Sequence, residues 1–224
     1  MSKTKYHPIL FSTPMVQAIL EGRKTQTRRI KGLEKVNINP NEWRLLTSFD
    51  ESENLLTAFY TRNNGNLYMQ FMNGSMNHDF KCPYNLGDVL WVRETFYKNT
   101  APQLQGTFYY KASISEGWDF KWKPSLFMPK GACRIFLKIK SIRVERLQNI
   151  SEKDAIAEGI IFKNHSEAGI VYKNYLKDNA FFFYPVKSFS SLWESINGDA
   201  SLKQNPFVWV YEFEQIEKPL DFLS

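Results

Sequence analysis

The sequence predicts an α+β fold: a small mixed β-barrel with short flanking helices and an inserted β meander. Three observations carry this. Many short segments alternate apolar and polar residues with the period of a strand. Only a few runs have helical spacing, and they do not alternate with strands in a βαβ rhythm. Aromatic residues make up 16% of the chain, with 18 Phe, 11 Tyr and 6 Trp. That composition suits pleated surfaces and also supplies flat faces for stacking on bases. With 224 residues, 43% of them hydrophobic, the chain fits one domain (1–224) carrying insertions.

"HPILFS" (His7 to Ser12) reads as a strand. Thr13 as N-cap and Pro14 at the first helical position start a helix. Its apolar stripe is Met15, Ala18, Ile19 and Leu20, and Gly22 fits the position that ends it. "KTQTRRI" then leaves as an extended segment. Residues 32–82 form the main predicted insertion. There "EWRLLTSF", "NLLTAFYTR" and "NLYMQFMN" read as meander strands, with a hairpin turn at Asn63 to Gly65. Gly87 and Asp88 turn the chain into "VLWVRETF", where Val89, Trp91 and Arg93 share a face.

A smaller insertion covers residues 97–125, with "GTFYYKAS" as a strand. "KWKPSLFMPKGAC" reads as an ordered, proline-stiffened loop. "RIFLKIKSIRVERL" is the longest strand signal. It sets Ile135, Leu137, Ile139 and Ser141 against Phe136, Lys138, Lys140 and Ile142. Ser151 caps a helix with Asp154 at its third position, a capping-box pattern, and Gly159 stops it. "SFSSLWESING" is another amphipathic helix. "NPFVWVYEFEQI" closes the chain as a strand, with Phe207, Trp209, Tyr211 and Phe213 opposite Val208, Val210 and Glu212. "FFFYP" (Phe181 to Pro185) reads as core or as the wall of a site, with an exposed partner surface as the lesser reading.

A formal charge of +6 suits an anionic partner such as nucleic acid or a nucleotide. Cys82 and Cys133 lie far apart without CxxC spacing, so the expectation is packed, reduced thiols in a cytoplasmic protein. His7, His78 and His165 share no ligand spacing, and no metal and no cofactor is expected. No segment reaches the roughly 18 apolar residues of a membrane helix.

The stretch "AILEGRKTQTRRI", with Lys31 directly after it, gathers Arg23, Lys24, Arg28, Arg29 and Lys31 around Thr25, Gln26 and Thr27. Arginine forks match phosphate or carboxylate, so an anion pocket competes here with a solvated charge run. A threonine hydroxyl is a weak nucleophile until a base removes its proton. A lysine serves as that base only if burial or neighbouring cations bring its pKa down. Arg93, beside Trp91, is a candidate pocket residue. Lys123 and Arg134, interleaved with aromatics, suit single-stranded nucleic acid, or else belong to a loop packed over the barrel.

"ILEGRKTQTRR", "GDVLWVRETF" and "RLQNISEKDAIAEGI" together resemble the ASCH domain family, a PUA-like β-barrel associated with RNA. The resemblance covers both ends of the chain. Residues 32–82 and 97–125 then look like the insertions of a longer, phage- or Bacteroidetes-type subfamily. It is most specific in the GRKTxTxR segment and in the Ser-Glu-x-x-Ala-x-x-Glu-Gly helix. One branch of the family deacetylates N4-acetylcytidine with a lysine base, a threonine nucleophile and a glutamate acid. The resemblance puts these roles on Lys24, Thr27 and Glu158, with Arg29 near the oxyanion or the base. Arg23, Arg28, Arg29, Arg93, Lys123 and Arg134 are then candidate ligand contacts. RNA or a modified nucleoside is the implied partner. A non-catalytic RNA-binding module and a metal-independent ribonuclease are the alternatives.

Overall fold

The computed structural model describes residues 4–49, 55–57, 59–61, 66–101, 106–114, 117 and 119–223; the predicted turn at Asn63 to Gly65 lies outside them. The elements begin with β1 (Tyr6–Leu10), α1 (Thr13–Leu20) and β2 (Gln26–Arg29). The inserted region holds β3 (Trp43–Leu45), β4 (Thr47–Phe49), β5 (Leu55–Thr57), β6 (Phe59–Thr61), β7 (Leu67–Asn73) and β8 (Met76–Lys81). Then come β9 (Val89–Arg93), β10 (Phe96–Lys98), β11 (Phe108–Tyr110), β12 (Phe136–Arg146) and α2 (Glu152–Ala157). The chain finishes with β13 (Phe162–His165), β14 (Gly169–Lys173), β15 (Phe181–Phe182), α3 (Pro185–Asn197), α4 (Asp199–Gln204) and β16 (Phe207–Ile216). The architecture is α+β.

The main sheet has the order β1-β9-β12-β16-β2. β1 and β9 run parallel, and the other pairs are antiparallel. Among the described residues this ladder does not close from β1 to β2. A side chain spans the gap instead: Arg29 Nη2, at the end of β2, donates to the carbonyl of Leu10, at the end of β1, at 3.2 Å.

Alternation fixes which core each strand feeds. On β16, Phe207, Trp209, Tyr211 and Phe213 enter the central core, while Val208 and Val210 pack with α3 and with Ala155 of α2. Val89, Trp91 and Phe136 join a further cluster with Met128 and Phe222. On β12 the expected parity holds only halfway. The register shifts between Ile139 and Ser141, so Ile142 and Val144 follow Leu137 and Ile139 into the central core. A bulge inserts one residue and reverses the faces beyond it.

Helix α1 begins one residue earlier than its sequence signal. Ser12 is its N-cap, and Thr13 is already helical. Val16, Ala18 and Ile19 are buried, while Leu20 is 42% exposed and lies outside the stripe. In the inserted region β7 is the central strand. β8 runs along one edge, and β6 and β3 share the other. This departs from a simple meander, because β3 joins β7 after two intervening strands have formed their own contacts. Phe71 of β7 meets Phe207 of the main sheet with ring centroids 5.0 Å apart, so the inserted sheet packs onto the central core.

For "FFFYP" the core-or-wall reading fails at Phe183 and Tyr184, and the lesser reading of an exposed surface fits them. β15 has only two residues at the edge of the small β13–β14–β15 sheet. It leaves Phe183 66% and Tyr184 64% exposed. Among the described residues no helix is long and apolar enough to cross a membrane.

Candidate functional site

The basic stretch is placed by two glycines. Gly22, at φ +72°, ends α1, and the backbone N–H groups of Arg23 and Lys24 both return to the carbonyl of Ala18 at 2.9 Å. The chain then passes the C-terminal end of α2. Lys24 and Glu158 form an antiparallel bridge, and Thr25 N donates to Ala157 O at 2.9 Å. The start of α2 is set by the cap read from sequence, with Ser151 Oγ accepting from Asp154 N at 3.1 Å. Gly159 follows Glu158 at φ +83°, and a Cβ there would come within 2.7 Å of Lys24 Cβ and 2.9 Å of Ala18 Cβ. Only glycine lets the α2 end approach this closely.

The contact buries charge. Lys24 is 2% and Glu158 5% exposed. Lys24 Nζ donates to Glu158 Oε2 at 2.9 Å, to Glu158 O at 2.8 Å and to Gln26 O at 2.9 Å. The other carboxylate oxygen of Glu158 accepts from Arg28 Nη1 at 2.9 Å. Arg28 Nη2 also reaches Glu145 Oε1 at 2.6 Å. Arg143 extends the network to Asp154 at 2.9 Å, to Glu145 at 3.3 Å and to Glu212. Burial drives the Lys24 pKa down. The charge and hydrogen bond of Glu158 oppose this, Arg29 and Arg28 reinforce it, and the outcome is below the ordinary lysine value.

Thr27 and Arg29 occupy the other face of β2. Thr27 is 1% exposed and lies opposite Tyr211 of β16. All three bonds of the Lys24 ammonium go elsewhere, and none reaches the Thr27 hydroxyl. Arg29 donates only to backbone carbonyls, Arg28 O at 3.3 Å and Leu10 O at 3.2 Å. Its guanidinium and the Lys24 ammonium both approach the Phe11 ring, at 5.3 and 5.5 Å from the centroid. Burial lowers the Arg29 pKa, against the opposing influence of Glu158, Tyr84 and Tyr211.

Arg29 lines a cleft of about 650 Å³, with Lys31, Gly159 and the tyrosines Tyr84, Tyr175 and Tyr211. Leu192 and Ile196 of α3 and the strand β1 supply most of its apolar wall. The size and the few polar groups suit a small organic ligand. Glu158 and Arg28 line a smaller adjoining cavity of about 100 Å³ that also borders on Arg29. Gly159 belongs to the cleft wall, and Lys24 lies directly behind it.

The remaining expected contacts separate into two groups. Arg23 stays with the cluster, donating to Glu21 at 2.7 Å and to Gly159 O at 3.2 Å. Arg93, Lys123 and Arg134 do not line the cleft, although Arg93 is the register partner of Leu10 on β1. Arg93 donates to Leu126 O and lies 5.6 Å from the Trp91 ring centroid. Lys123 is exposed, and its backbone pairs with Phe96. Arg134 forks onto Glu94 at 2.8 and 2.9 Å and lies over Tyr110. A fork already filled by a buried carboxylate is a packing device.

Sequence reasoning missed Tyr84 and Tyr175 as cleft walls, and Glu145, Asp154 and Arg143 as partners of the basic stretch. Asp154 carried a signal, but for its backbone role as a cap residue. Its carboxylate was free for a second task. The cysteines are free and buried, with both thiols pushed up to about 11 by burial, which keeps them unreactive. Among the described residues no group of three or more His, Cys, Asp or Glu side chains is placed to hold a metal ion. Comparison with known proteins returns nothing for this chain: no family model, no curated protein and no solved structure matches it.

Proposed function

We propose that the chain is an ASCH-type, PUA-like barrel that acts on an RNA-derived nucleoside held in the cleft at Arg29. The observation that carries this reading is the position of the cleft. A nucleoside-sized cavity, walled by tyrosines and by one arginine that makes no ion pair among the described residues, stands directly in front of the buried Lys24–Glu158 pair. Tyr84 and Tyr175 offer aromatic surface to a base, Tyr211 being fully buried behind them, and Arg29 has donors to offer a carbonyl or an anion. The barrel reading is supported by the Arg29 bond to Leu10, which draws the two edge strands of the main sheet to one seam.

The chemistry we assign is amide hydrolysis of N4-acetylcytidine. Lys24 Nζ and Glu158 Oε2 are 2.9 Å apart. One proton passing from the ammonium to the carboxylate leaves a neutral amine and a carboxylic acid, the base and the acid that the reaction needs. The amine takes the Thr27 proton, and the Thr27 oxygen attacks the acetyl carbonyl. The C–N bond breaks as Glu158 protonates the departing cytosine nitrogen. Water then cleaves the acyl-threonine to acetate and restores the hydroxyl. Arg29 faces the developing oxyanion.

A second reading, binding without turnover, is favoured by one specific observation. Lys24 spends all its donors on carbonyls and a carboxylate, and none on Thr27. Incubation with N4-acetylcytidine, following cytidine and acetate, alongside a binding titration of the same compound, separates the two. The expected outcome is turnover that is lost in Thr27→Ala while binding persists. Binding without turnover would replace hydrolysis by recognition. Absence of both would remove the nucleoside reading.

A further inference from the structure

Resting on that reading of the cleft, we propose that the inserted region extends it with a phosphate-binding annex, so that the ligand is a nucleotide rather than a bare nucleoside. A shallow cavity of about 510 Å³ adjoins the cleft and shares Pro8, Lys31, Pro83 and Tyr84 with it. Its other walls are His7, Gly32, Glu34 and Lys81. The character changes across the shared wall. The cleft is aromatic and aliphatic, while the annex holds two lysines with no ion pair among the described residues.

The two lysines are held together by backbone. Ile30 to Leu33 form a turn closed by Leu33 N donating to Ile30 O at 2.9 Å. Gly32 sits in it at φ +93°, where a Cβ would meet Pro83 Cγ at 3.4 Å and the Lys81 carbonyl at 3.5 Å. The turn that carries Lys31 therefore packs against the end of β8 that carries Lys81. The other charged groups facing the annex are already engaged. Both Glu34 oxygens accept from Gly32 N, at 3.0 and 2.9 Å. His7 Nε2 is bonded to Asp88 Oδ2 at 2.9 Å.

A base stacked beside Tyr84 in the cleft directs its sugar across the shared wall, and a phosphate on that sugar meets Lys31 and Lys81. Ammonium groups bind phosphate as point charges without a fixed fork. Lys81 comes from the inserted region, so the insertion supplies half of the anion contact.

Calorimetric titration tests this with N4-acetylcytidine and the four common ribonucleosides, the 5′- and 3′-monophosphates of each, a short single-stranded RNA and inorganic phosphate. The probes are applied to the full chain and to its Lys81→Ala and Glu34→Gln variants. We expect one monophosphate to bind about tenfold tighter than its nucleoside. Lys81→Ala removes that gain without weakening the nucleoside, and Glu34→Gln enlarges it. The gain shrinks as salt rises. A gain confined to a free monophosphate assigns the annex to mononucleotides, and an equal gain with the RNA assigns it to the phosphodiester chain. Equal affinity for nucleoside and nucleotide, or a gain that survives Lys81→Ala, overturns the annex and leaves the cleft reading standing. Phosphate binding that depends on Lys81, without any nucleoside binding, overturns the cleft reading and the nucleotide with it.

Discussion

Strand β2 carries two neighbouring arginines that its two faces treat differently. On the helix side, Arg28 is 2% exposed and its donors go to Glu158, Glu145 and Asp154. On the cleft side, Arg29 hydrogen-bonds among the described residues only to carbonyl oxygens, and Glu158 acts on it through its charge alone. Arg28 is buried and Arg29 half-buried on one edge strand, and the main difference lies in what opposes them. A cation surrounded by carboxylates has its charge balanced within the fold, and removing a partner leaves an unpaired charge in a poorly solvated place. A cation with carbonyl partners alone keeps its net charge available to a ligand. The same residue type in consecutive positions is ion-paired in one case and, in the proposed reading, receptive in the other.

The largest test of this contrast is Glu158→Ala. It strips the carboxylate from Lys24 and Arg28 together, both almost fully buried. Unfolding by denaturant should show a loss of about 3–5 kcal/mol. A loss below about 1 kcal/mol would mean that water or the remaining acids Glu145 and Asp154 take over, and the contrast would fail. Next comes Gly159→Ala, which adds a Cβ between Lys24 and Ala18 at a backbone conformation that L side chains rarely adopt. The expected cost is about 2–4 kcal/mol, read from the same denaturation midpoint. Smallest in stability is Arg29→Ala, expected within about 1 kcal/mol because no carboxylate is orphaned. Its effect should appear in ligand titration instead, as a loss of about tenfold in nucleoside affinity. An Arg29→Ala variant that unfolds as readily as Glu158→Ala would erase the distinction between the faces.

Local signals were legible where a residue's own chemistry decides its conformation. Ser151 capping Asp154, and the glycines at 22 and 159, are of this kind. The two faces of β16 followed from alternation alone. β12 did not, because a bulge near Lys140 depends on the partner strand and leaves no mark in the alternation. The site was less legible for the same reason. Basic residues in one stretch announce themselves, but their partners Glu145, Asp154 and Glu158 arrive from β12 and α2, more than a hundred residues away in sequence. Glu158 was singled out by resemblance, and Glu145 by nothing. Tyr84 and Tyr175 sit in connecting segments without periodicity, so no pattern marks them as cleft walls. Adjacency in "TRR" gave no hint that Arg28 and Arg29 would meet such different surroundings.

The end of α2 against the basic stretch has a consequence for how molecules of this protein meet one another. β2 is an outermost strand of an unclosed sheet, the kind of edge on which a second chain can add and a fibre can grow. Here its backbone is already engaged from within. Thr25 N is taken by Ala157 O, Gln26 O by the Lys24 ammonium and Arg28 O by the Arg29 guanidinium. A strand arriving from a neighbour would find buried cations where it needs carbonyls. The lysine and arginine of this stretch thus also act as a guard rail, keeping an unpaired strand edge from becoming a template for aggregation.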